Sequence, residues 1–326
     1  MTSVKDRVTQ GLGEIRTVIL GVQILLGFQY EAVFQPGFAR STHLARLLEA
    51  AALGLLILSV IALITAIAFH RLGESGAMTA RQEDLNEAVV ALALAPFAVA
   101  LGLDVFVALE RGLGPVFAAF AGTLLAALAL VFWYGGAVLR TKDRETSDRK
   151  DEPVSLKDRI GTLLTESRIV LPGAQALLGF QFAAYLTDGY ERAPLDARIA
   201  HTAGLVFLIV AMILLMAPAA FHRLAERGED TPRVERVCAG LVLSAMATLG
   251  LAISADLFVV CRLVGAPRPA ALASAACAIA ASGAAWYIFP LSARARRPAA
   301  EHSPDGAGES VNRAAPAGAG PRTKTS

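Results

Sequence analysis

Long apolar stretches alternate with short polar segments along the chain, and the alternation occurs twice in the same order. The apolar stretches cover residues 13–35, 45–69, 87–109 and 114–139, and then 165–187, 199–221, 237–261 and 268–291. Each is long enough for a helix to cross a hydrocarbon layer of about 30 Å. Since a backbone in lipid has to satisfy its own hydrogen bonds, the pattern predicts eight transmembrane helices.

The two halves of the chain are copies of each other. EIRTVILGVQILLGFQY (14–30) returns as ESRIVLPGAQALLGFQF (166–182), with ten of seventeen positions identical, and FHRL (69–72) returns at 221–224. Both pairs of segments share an offset of 152 residues. The fold class expected is therefore an all-α, polytopic membrane protein built from two four-helix repeats. An even number of spans per unit makes the repeats parallel, related by an axis along the membrane normal.

Polar segments set the expected domain boundaries. We expect a first membrane repeat at 1–139, a charged linker at 140–155, a second repeat at 156–292 and a tail at 293–326. The linker RTKDRETSDRKDEPVS is dense in charge, which is typical of a solvated segment. The tail is rich in Pro, Ala, Gly and Ser and predicts disorder, because it cannot bury enough apolar surface to offset chain entropy.

Composition agrees with a membrane protein and excludes other classes. The chain is 55% hydrophobic and 18% charged, with a mean hydropathy of +0.54 and a net charge of +2. So small a net charge does not indicate nucleic-acid binding. Cys238, Cys261 and Cys277 are odd in number and lack CxxC spacing, so we expect inert thiols and neither a metal site nor a cofactor. The polar N-terminus shows no removable signal peptide, so the first span is expected to remain.

The distribution of Lys and Arg predicts the orientation. The side that holds both termini receives 21 of the 30 basic residues and the other side receives 7. The remaining two, Arg16 and Arg168, lie inside the first helix of their units. Positive charge is retained on the cytoplasmic side, so both termini are expected there. The lipid bilayer is thus the expected partner, and the oligomeric state stays open.

Polar residues recur at matching positions of the two repeats and are the candidate ion, proton or polar-network residues. They are Glu14, Arg16, Gln23, Arg46, His70, Arg71 and Asp104 in the first unit and Glu166, Arg168, Gln175, Arg198, His222, Arg223 and Asp256 in the second. Charged groups in lipid are expensive, so these should face protein or water. Those near the cytoplasmic face are expected either to form an ion network or to handle protons. In the network, Glu14 would pair with Arg16 or Arg71, and Glu166 would pair with Arg168 or Arg223.

The first helix of each unit carries a polar stripe. Arg16, Gln23, Gly27 and Tyr30 share one helix face, and Arg168, Gln175, Gly179 and Phe182 repeat it. Glycine permits close helix contact and glutamine can bond across helices, so this face is expected to point inward in both units.

Asp104 and Asp256 are the most informative acids. Each lies near the outer, negative end of its helix, where a carboxylate is unfavourable. Arg46 and Arg198 stand at matching depth on the neighbouring helix. We expect the ion pairs Arg46–Asp104 and Arg198–Asp256, and the alternative is a carboxylate that binds an ion or a proton.

The segment TESRIVLPGAQALLGFQF, with HRL after the next span, resembles a bacterial family of four-helix integral membrane proteins of unknown function. The shared core E-x-R-x-x-L-P-G-x-Q matches fully in the second unit and without its proline in the first, where Leu20 replaces Pro172. The resemblance implies a bacterial cytoplasmic (inner) membrane protein, and some members carry the label sodium:proton antiporter. It supports the fold more directly than any activity.

Two functions are consistent with these sequence features. One is an ion- or proton-coupled secondary transporter for protons or sodium ions. The other is a non-transporting scaffold or stress-related membrane protein, in which the same residues are structural. An enzyme is not expected, because the chain has no P-loop, GxSxG or HExxH motif.

Overall fold

The computed structural model describes residues 4–139 and 155–296, and every regular element in these ranges is helical. The first range contains α1 (Val4–Ala32), α2 (Pro36–Ala39), α3 (His43–Ala68), α4 (Ala80–Leu113) and α5 (Pro115–Leu139). The second contains α6 (Leu156–Ala184), α7 (Asp188–Arg192), α8 (Leu195–Ala220), α9 (Pro232–Leu263), α10 (Arg268–Gly283) and α11 (Phe289–Ala295). Residues 140–154 of the expected linker and 297–326 of the expected tail lie outside the described ranges, and α11 continues past the expected boundary at 292.

Local sequence signals explain where the helices begin and end. The Thr42 hydroxyl accepts a hydrogen bond from the Ala45 amide at 3.1 Å and caps α3. Thr79, Ser155, Thr187 and Thr231 cap α4, α6, α7 and α9 in the same way. Gly114, with a φ of 84°, ends α4, and the next residue is the proline that begins α5.

The repeated FHRL motif gives the same irregular end to α3 and α8. Both helices widen into a π turn, at Phe69–Gly73 and Phe221–Ala225. Each turn is followed by two residues with positive φ, Ser75–Gly76 and Arg227–Gly228, so the chain reverses identically in both units. A third π turn, Ala284–Ile288, joins α10 to α11. Single π turns of this kind redirect the side chains that follow them.

Seven helical segments of the described chain are long and apolar enough to cross a membrane. They are Asp6–Ala32, His43–Gly73, Ala80–Leu113, Pro115–Gly135, Leu195–Ala225, Pro232–Leu263 and Arg268–Ala295. The remaining long helix, α6, carries the same charged positions as α1 but has smaller or more polar residues between them. Ser167, Pro172, Ala174 and Ala176 stand where α1 has Ile15, Leu20, Val22 and Ile24. The sequence predicted eight spans, and composition supports seven of them.

Helix packing within each unit follows the chain order. In the first unit α3 packs on α4, α4 on α5, and α1 on both α3 and α4, and the second unit pairs its corresponding helices in the same way. A small-residue contact joins α4 to α5: a Cβ added to Gly102 would lie 2.7 Å from the Gly122 carbonyl oxygen. Such contacts bring helix backbones together, as the Ala-rich sequence of α5 predicts.

The two units meet through α1 and α6, but they use different faces of these corresponding helices. Gln23 lies against Gly173, and Gly27 lies against Phe180. On the α1 face Gln23 and Tyr30 are buried, as predicted, whereas Arg16 is exposed. The equivalent stripe on α6 is exposed at Arg168, Gln175, Gly179 and Phe182. The prediction that this face points inward in the second unit is wrong, because the interface is heterologous.

Candidate functional site

The first polar cluster is formed by Gln29, Glu49 and Asp104. These residues lie at the end of α1, near the start of α3 and towards the end of α4, so the antiparallel helices bring them to one level. The Gln29 amide donates a hydrogen bond to the Asp104 carboxylate. Glu49 is 6% exposed and lies close enough to Asp104 for the two carboxylates to repel each other. Among the described residues, neither carboxylate has a cationic group within 4.0 Å.

The second polar cluster is formed by Tyr30, Gln181, His201 and Asp256, all of them buried. Gln181 Nε2 donates to Asp256 Oδ1 at 2.7 Å, as Gln29 does to Asp104 in the first unit. Tyr30 comes from the first unit, and its hydroxyl hydrogen-bonds with His201 Nδ1 and lies against Asp256. The second cluster is therefore completed by a side chain from the other repeat.

Aromatic rings enclose the imidazole of His201. Ring centroids lie within 6 Å of the imidazole for Tyr30 (5.7 Å), Phe34 (5.6 Å), Tyr185 (4.5 Å) and Tyr190 (5.4 Å). His201 Nε2 is buried and has no hydrogen-bond partner among the described residues. This imidazole therefore sits in an apolar enclosure with one polar exit, through Tyr30 to Asp256.

The predicted ion pairs Arg46–Asp104 and Arg198–Asp256 are absent from the described structure. The Gln29 amide takes the place of the arginine at Asp104, and the Gln181 amide and the Tyr30 phenol do so at Asp256. The Nε atoms of Arg46 and Arg198 are buried without a hydrogen-bond partner in the part of the chain that is described. Matching depth in the membrane does not fix the direction of a side chain, and here the glutamine of the first helix approaches each acid instead.

A third cluster lies near the opposite end of the bundle and joins the two units. The fully buried Glu166 accepts hydrogen bonds from His70 Nδ1, at 2.5 Å, and from Arg71 Nε. The sequence predicted an ion network here but paired Glu166 with Arg168 or Arg223 of its own unit, which is wrong. The π turn that ends α3 places His70 and Arg71 against α6.

The remaining candidate residues form no common site. Glu14 is exposed and accepts a hydrogen bond from Gln10 at 3.0 Å, so its predicted pairing with Arg16 or Arg71 does not occur. His222 lies 3.3 Å from Asp230, and Arg223 is exposed. The histidine and arginine of the FHRL motif thus have different roles in the two units.

Sequence reasoning missed Glu49 and His201, which complete the two outer clusters. They occupy the same repeat position, 152 residues apart. An ionisable residue at that position of both copies, three residues after the repeated arginine, was the available signal. It was overlooked because the residue types differ.

Long apolar helices with ionisable groups buried between them define a multi-pass membrane protein. Within that class, the model of a family of unknown function, DUF6328, matches residues 4–136 and again 152–290, and the chain belongs to this family. The two matches coincide with the two units and confirm a tandem duplication of the kind of family that the sequence resembled. No curated protein and no solved structure matches the chain.

Proposed function

We propose that the protein is a secondary transporter that couples the movement of protons and sodium ions, without enzymatic activity, in the cytoplasmic membrane of a bacterium. The observation that supports this most directly is the carboxylate pair Glu49–Asp104. The two acids lie within membrane-spanning helices, near enough for their charges to repel each other, and neither has a cationic group within 4.0 Å in the described chain. Buried charge of this kind is unfavourable unless it is compensated.

A shared proton or a bound monovalent cation would compensate the carboxylate pair. Asp104 Oδ2 and Gln29 Oε1 are both buried without a hydrogen-bond partner among the described residues. Together with the Glu49 carboxylate they present three oxygen groups, which are the ligands that hard cations prefer. The elementary step of antiport is the replacement of a bound proton by Na⁺, or of Na⁺ by a proton, at one site.

The second cluster supports proton movement in this proposal. The Tyr30 hydroxyl is hydrogen-bonded to His201 Nδ1 and lies against Asp256, so three groups that can donate or accept a proton follow one another. Because Tyr30 belongs to α1 and Asp256 to α9, the link also joins the two repeats.

The proposal includes the full predicted topology. The α6 helix would be the eighth span, because it packs along α1 and between α8 and α9. Its buried Glu166 is paired with the guanidinium of Arg71 and hydrogen-bonded to His70. With eight spans in two parallel repeats, the excess of Lys and Arg on the side of the termini supports a cytoplasmic position for both of them.

A non-transporting scaffold is the second candidate. The Glu166 cluster favours it, since both oxygens of this buried carboxylate are bonded to side chains of the other unit, as a structural contact between the repeats requires. The carboxylate pair of the first cluster has no such explanation.

Flux measurements on the full chain separate the two functions. In proteoliposomes with an imposed sodium gradient and an internal pH indicator, a transporter moves protons in response to sodium. We expect Glu49→Gln and Asp104→Asn to abolish this flux, and Asp188→Asn, whose side chain is 80% exposed, to leave it unchanged. A wild-type protein that moves no protons under any monovalent cation gradient would support the scaffold and overturn the transporter.

A further inference from the structure

The contact between the two units leaves one equivalent surface open on each of them. Within the chain, α1 lies against α6, and the turn after α1 lies against α7. Because this contact is heterologous, each unit still presents the surface that the other unit uses. The open face of the second unit includes the exposed residues Gln175, Gly179, Leu186, Ile213 and Arg223. The open face of the first unit includes the exposed residues Glu14, Gly21, Phe28, Gly37 and Trp133.

Glycines that occur in both units mark the two open faces. An added Cβ would overlap the other unit at three positions of the contact, Gly27, Gly173 and Gly189. Their counterparts in the repeat are Gly179, Gly21 and Gly37. Within the described chain, nothing lies within 4 Å of an added Cβ at Gly21 or Gly179, and only Arg111 approaches Gly37, at 3.9 Å. Glycine weakens a helix relative to alanine, so glycines without a close neighbour in their own chain indicate a neighbour from outside it.

Large apolar side chains are covered within the chain and bare at the equivalent place. Phe34 is 1% exposed, whereas its counterpart Leu186 is 90% exposed. Ile61 is 5% exposed, and its carbonyl accepts a hydrogen bond from Trp286 Nε1 at 2.9 Å. Its counterpart Ile213 is 61% exposed. The second unit thus covers α3, and no described part of the chain covers α8 in the same way.

The polar residues of the two open faces are complementary. Within the chain, the Arg71 guanidinium binds the Glu166 carboxylate. Their counterparts are Arg223 on the open face of the second unit and Glu14 on that of the first, and both are exposed. Gln175 is exposed midway along α6, and lipid tails offer its amide no hydrogen bond. The open faces therefore favour each other as partners over lipid.

We propose that a second copy of this chain covers the open face of the second unit with the open face of its own first unit. The contact repeats the one inside the chain, so Gln175 lies against Gly21 of the neighbouring copy. In the same way Leu186 lies against Gly37, and Arg223 pairs with Glu14. Contacts of this head-to-tail kind build a row or a ring in the plane of the membrane. The inference depends neither on transport nor on an ion site.

The same contact brings a side chain of one copy to the first polar cluster of the next. Tyr30 of the first unit lies against Asp256 of the second. Phe182 is the counterpart of Tyr30 and is 50% exposed, so in the assembly it lies over Asp104 of the neighbouring copy. Phenylalanine has no hydroxyl, and it covers this carboxylate without a hydrogen bond.

Disulfide cross-linking between two differently tagged, full-length copies in membranes tests the proposal. The background lacks Cys261 and Cys277, and the remaining Cys238 is fully buried. A Cβ at Gly189 would lie 2.8 Å from Phe34 Cα, so the equivalent Gly37 and Leu186 of two copies come within disulfide range. With an oxidant, we expect a dimer when Leu186→Cys and Gly37→Cys are expressed together. Neither variant alone should give one.

Two control variants define the contact surface. Val116→Cys is at the same end of the first unit and is 84% exposed, but its counterpart Arg268 is exposed and outside the contact. It should give no dimer with Leu186→Cys. Adding Gly179→Leu to both copies should lower the initial rate of cross-linking by about tenfold or more, equivalent to at least about 1.4 kcal/mol. Gly13→Leu is the matched control, because nothing lies within 4 Å of its added Cβ and its counterpart Thr165 is exposed.

The possible outcomes are distinct. A dimer from Leu186→Cys alone would indicate a two-fold contact and would overturn the proposal. The absence of a mixed dimer would show that lipid covers the open face, which would also overturn it. Gln175→Cys with Gly21→Cys is a second pair at mid-membrane depth, and it decides the question if either variant of the first pair does not fold.

Discussion

Glu166 of the second unit accepts a hydrogen bond from His70 of the first unit, with 2.5 Å between Oε1 and Nδ1. The reciprocal contact does not form, because Glu14 is exposed and His222 faces Asp230. A duplicated protein assembled about a true two-fold axis would make both contacts. The two repeats are therefore joined by a heterologous interface, in which equivalent residues have acquired different roles.

Removing the Glu166 carboxylate should destabilise the protein strongly. We expect Glu166→Gln to lower the free energy of unfolding by about 3–5 kcal/mol, because it leaves Arg71 as a buried charge without a carboxylate. Denaturant unfolding in detergent, followed by circular dichroism, measures the loss.

The repeat provides the control for this prediction. Glu14→Gln changes the corresponding residue, which is exposed, and should leave the unfolding midpoint close to that of the wild type. An equal loss of unfolding free energy in Glu166→Gln and Glu14→Gln would contradict a structural role that is confined to Glu166.

The contact between Gly102 and Gly122 should tolerate no side chain. A Cβ on Gly102 would lie 2.7 Å from the Gly122 carbonyl oxygen and 2.9 Å from Ala126 Cβ, so we expect Gly102→Ala to destabilise by about 1–3 kcal/mol. Gly112→Ala is the control on the same helix, since nothing lies within 4 Å of its added Cβ. It should be neutral or stabilising by up to about 1 kcal/mol, because alanine favours a helix. Similar losses of unfolding free energy at both glycines would show that the close approach of α4 and α5 is not the reason why Gly102 tolerates no side chain.

Periodicity and repetition could predict the elements of this fold but not how the two units meet. The helix that follows Gly114 was placed correctly, because its length, composition and flanking glycine and proline are local properties of the chain. Gln23 and Gln175 occupy equivalent positions, yet Gln23 is fully buried at the interface and Gln175 is exposed. Identical sequence cannot distinguish these two environments.

The two outer clusters could likewise be predicted from the sequence only in part. The repeated acids Asp104 and Asp256 were found from sequence, because a carboxylate at the negative end of an apolar helix needs compensation. Their partners were not, because the direction in which Arg46 points depends on how α3 packs against its neighbours, chiefly α1 and α4. Within the described chain Gln29 and Gln181 reach the acids, and the arginines do not.

Cysteine labelling can test the proposed orientation with residues that lie in the described loops. Asp188 and Glu229 are both exposed, at opposite ends of the second unit. In a background without Cys261 and Cys277, we expect Asp188→Cys to react with an impermeant maleimide in intact cells. Glu229→Cys should react only after the cells are permeabilised. Labelling of both positions from the same side would contradict the topology.

The Tyr30 hydroxyl should stabilise the contact between the repeats through its polar partners. We expect Tyr30→Phe to lower the free energy of unfolding by about 1–3 kcal/mol, because His201 and Asp256 are left buried without this partner. Phe182→Tyr is the matched control: it adds a hydroxyl at the equivalent position, which is 50% exposed, and it should change little.

A double-mutant cycle identifies the origin of that loss. If the Tyr30 hydroxyl acts through the carboxylate, Tyr30→Phe and Asp256→Asn should show a coupling energy of about 0.5–3 kcal/mol. The same cycle between Tyr30→Phe and Asp104→Asn should be additive to within about 0.5 kcal/mol, because Asp104 belongs to the other cluster. Additive losses in both cycles would contradict an interaction between the Tyr30 hydroxyl and Asp256, and would leave His201 Nδ1 as the polar partner of that hydroxyl.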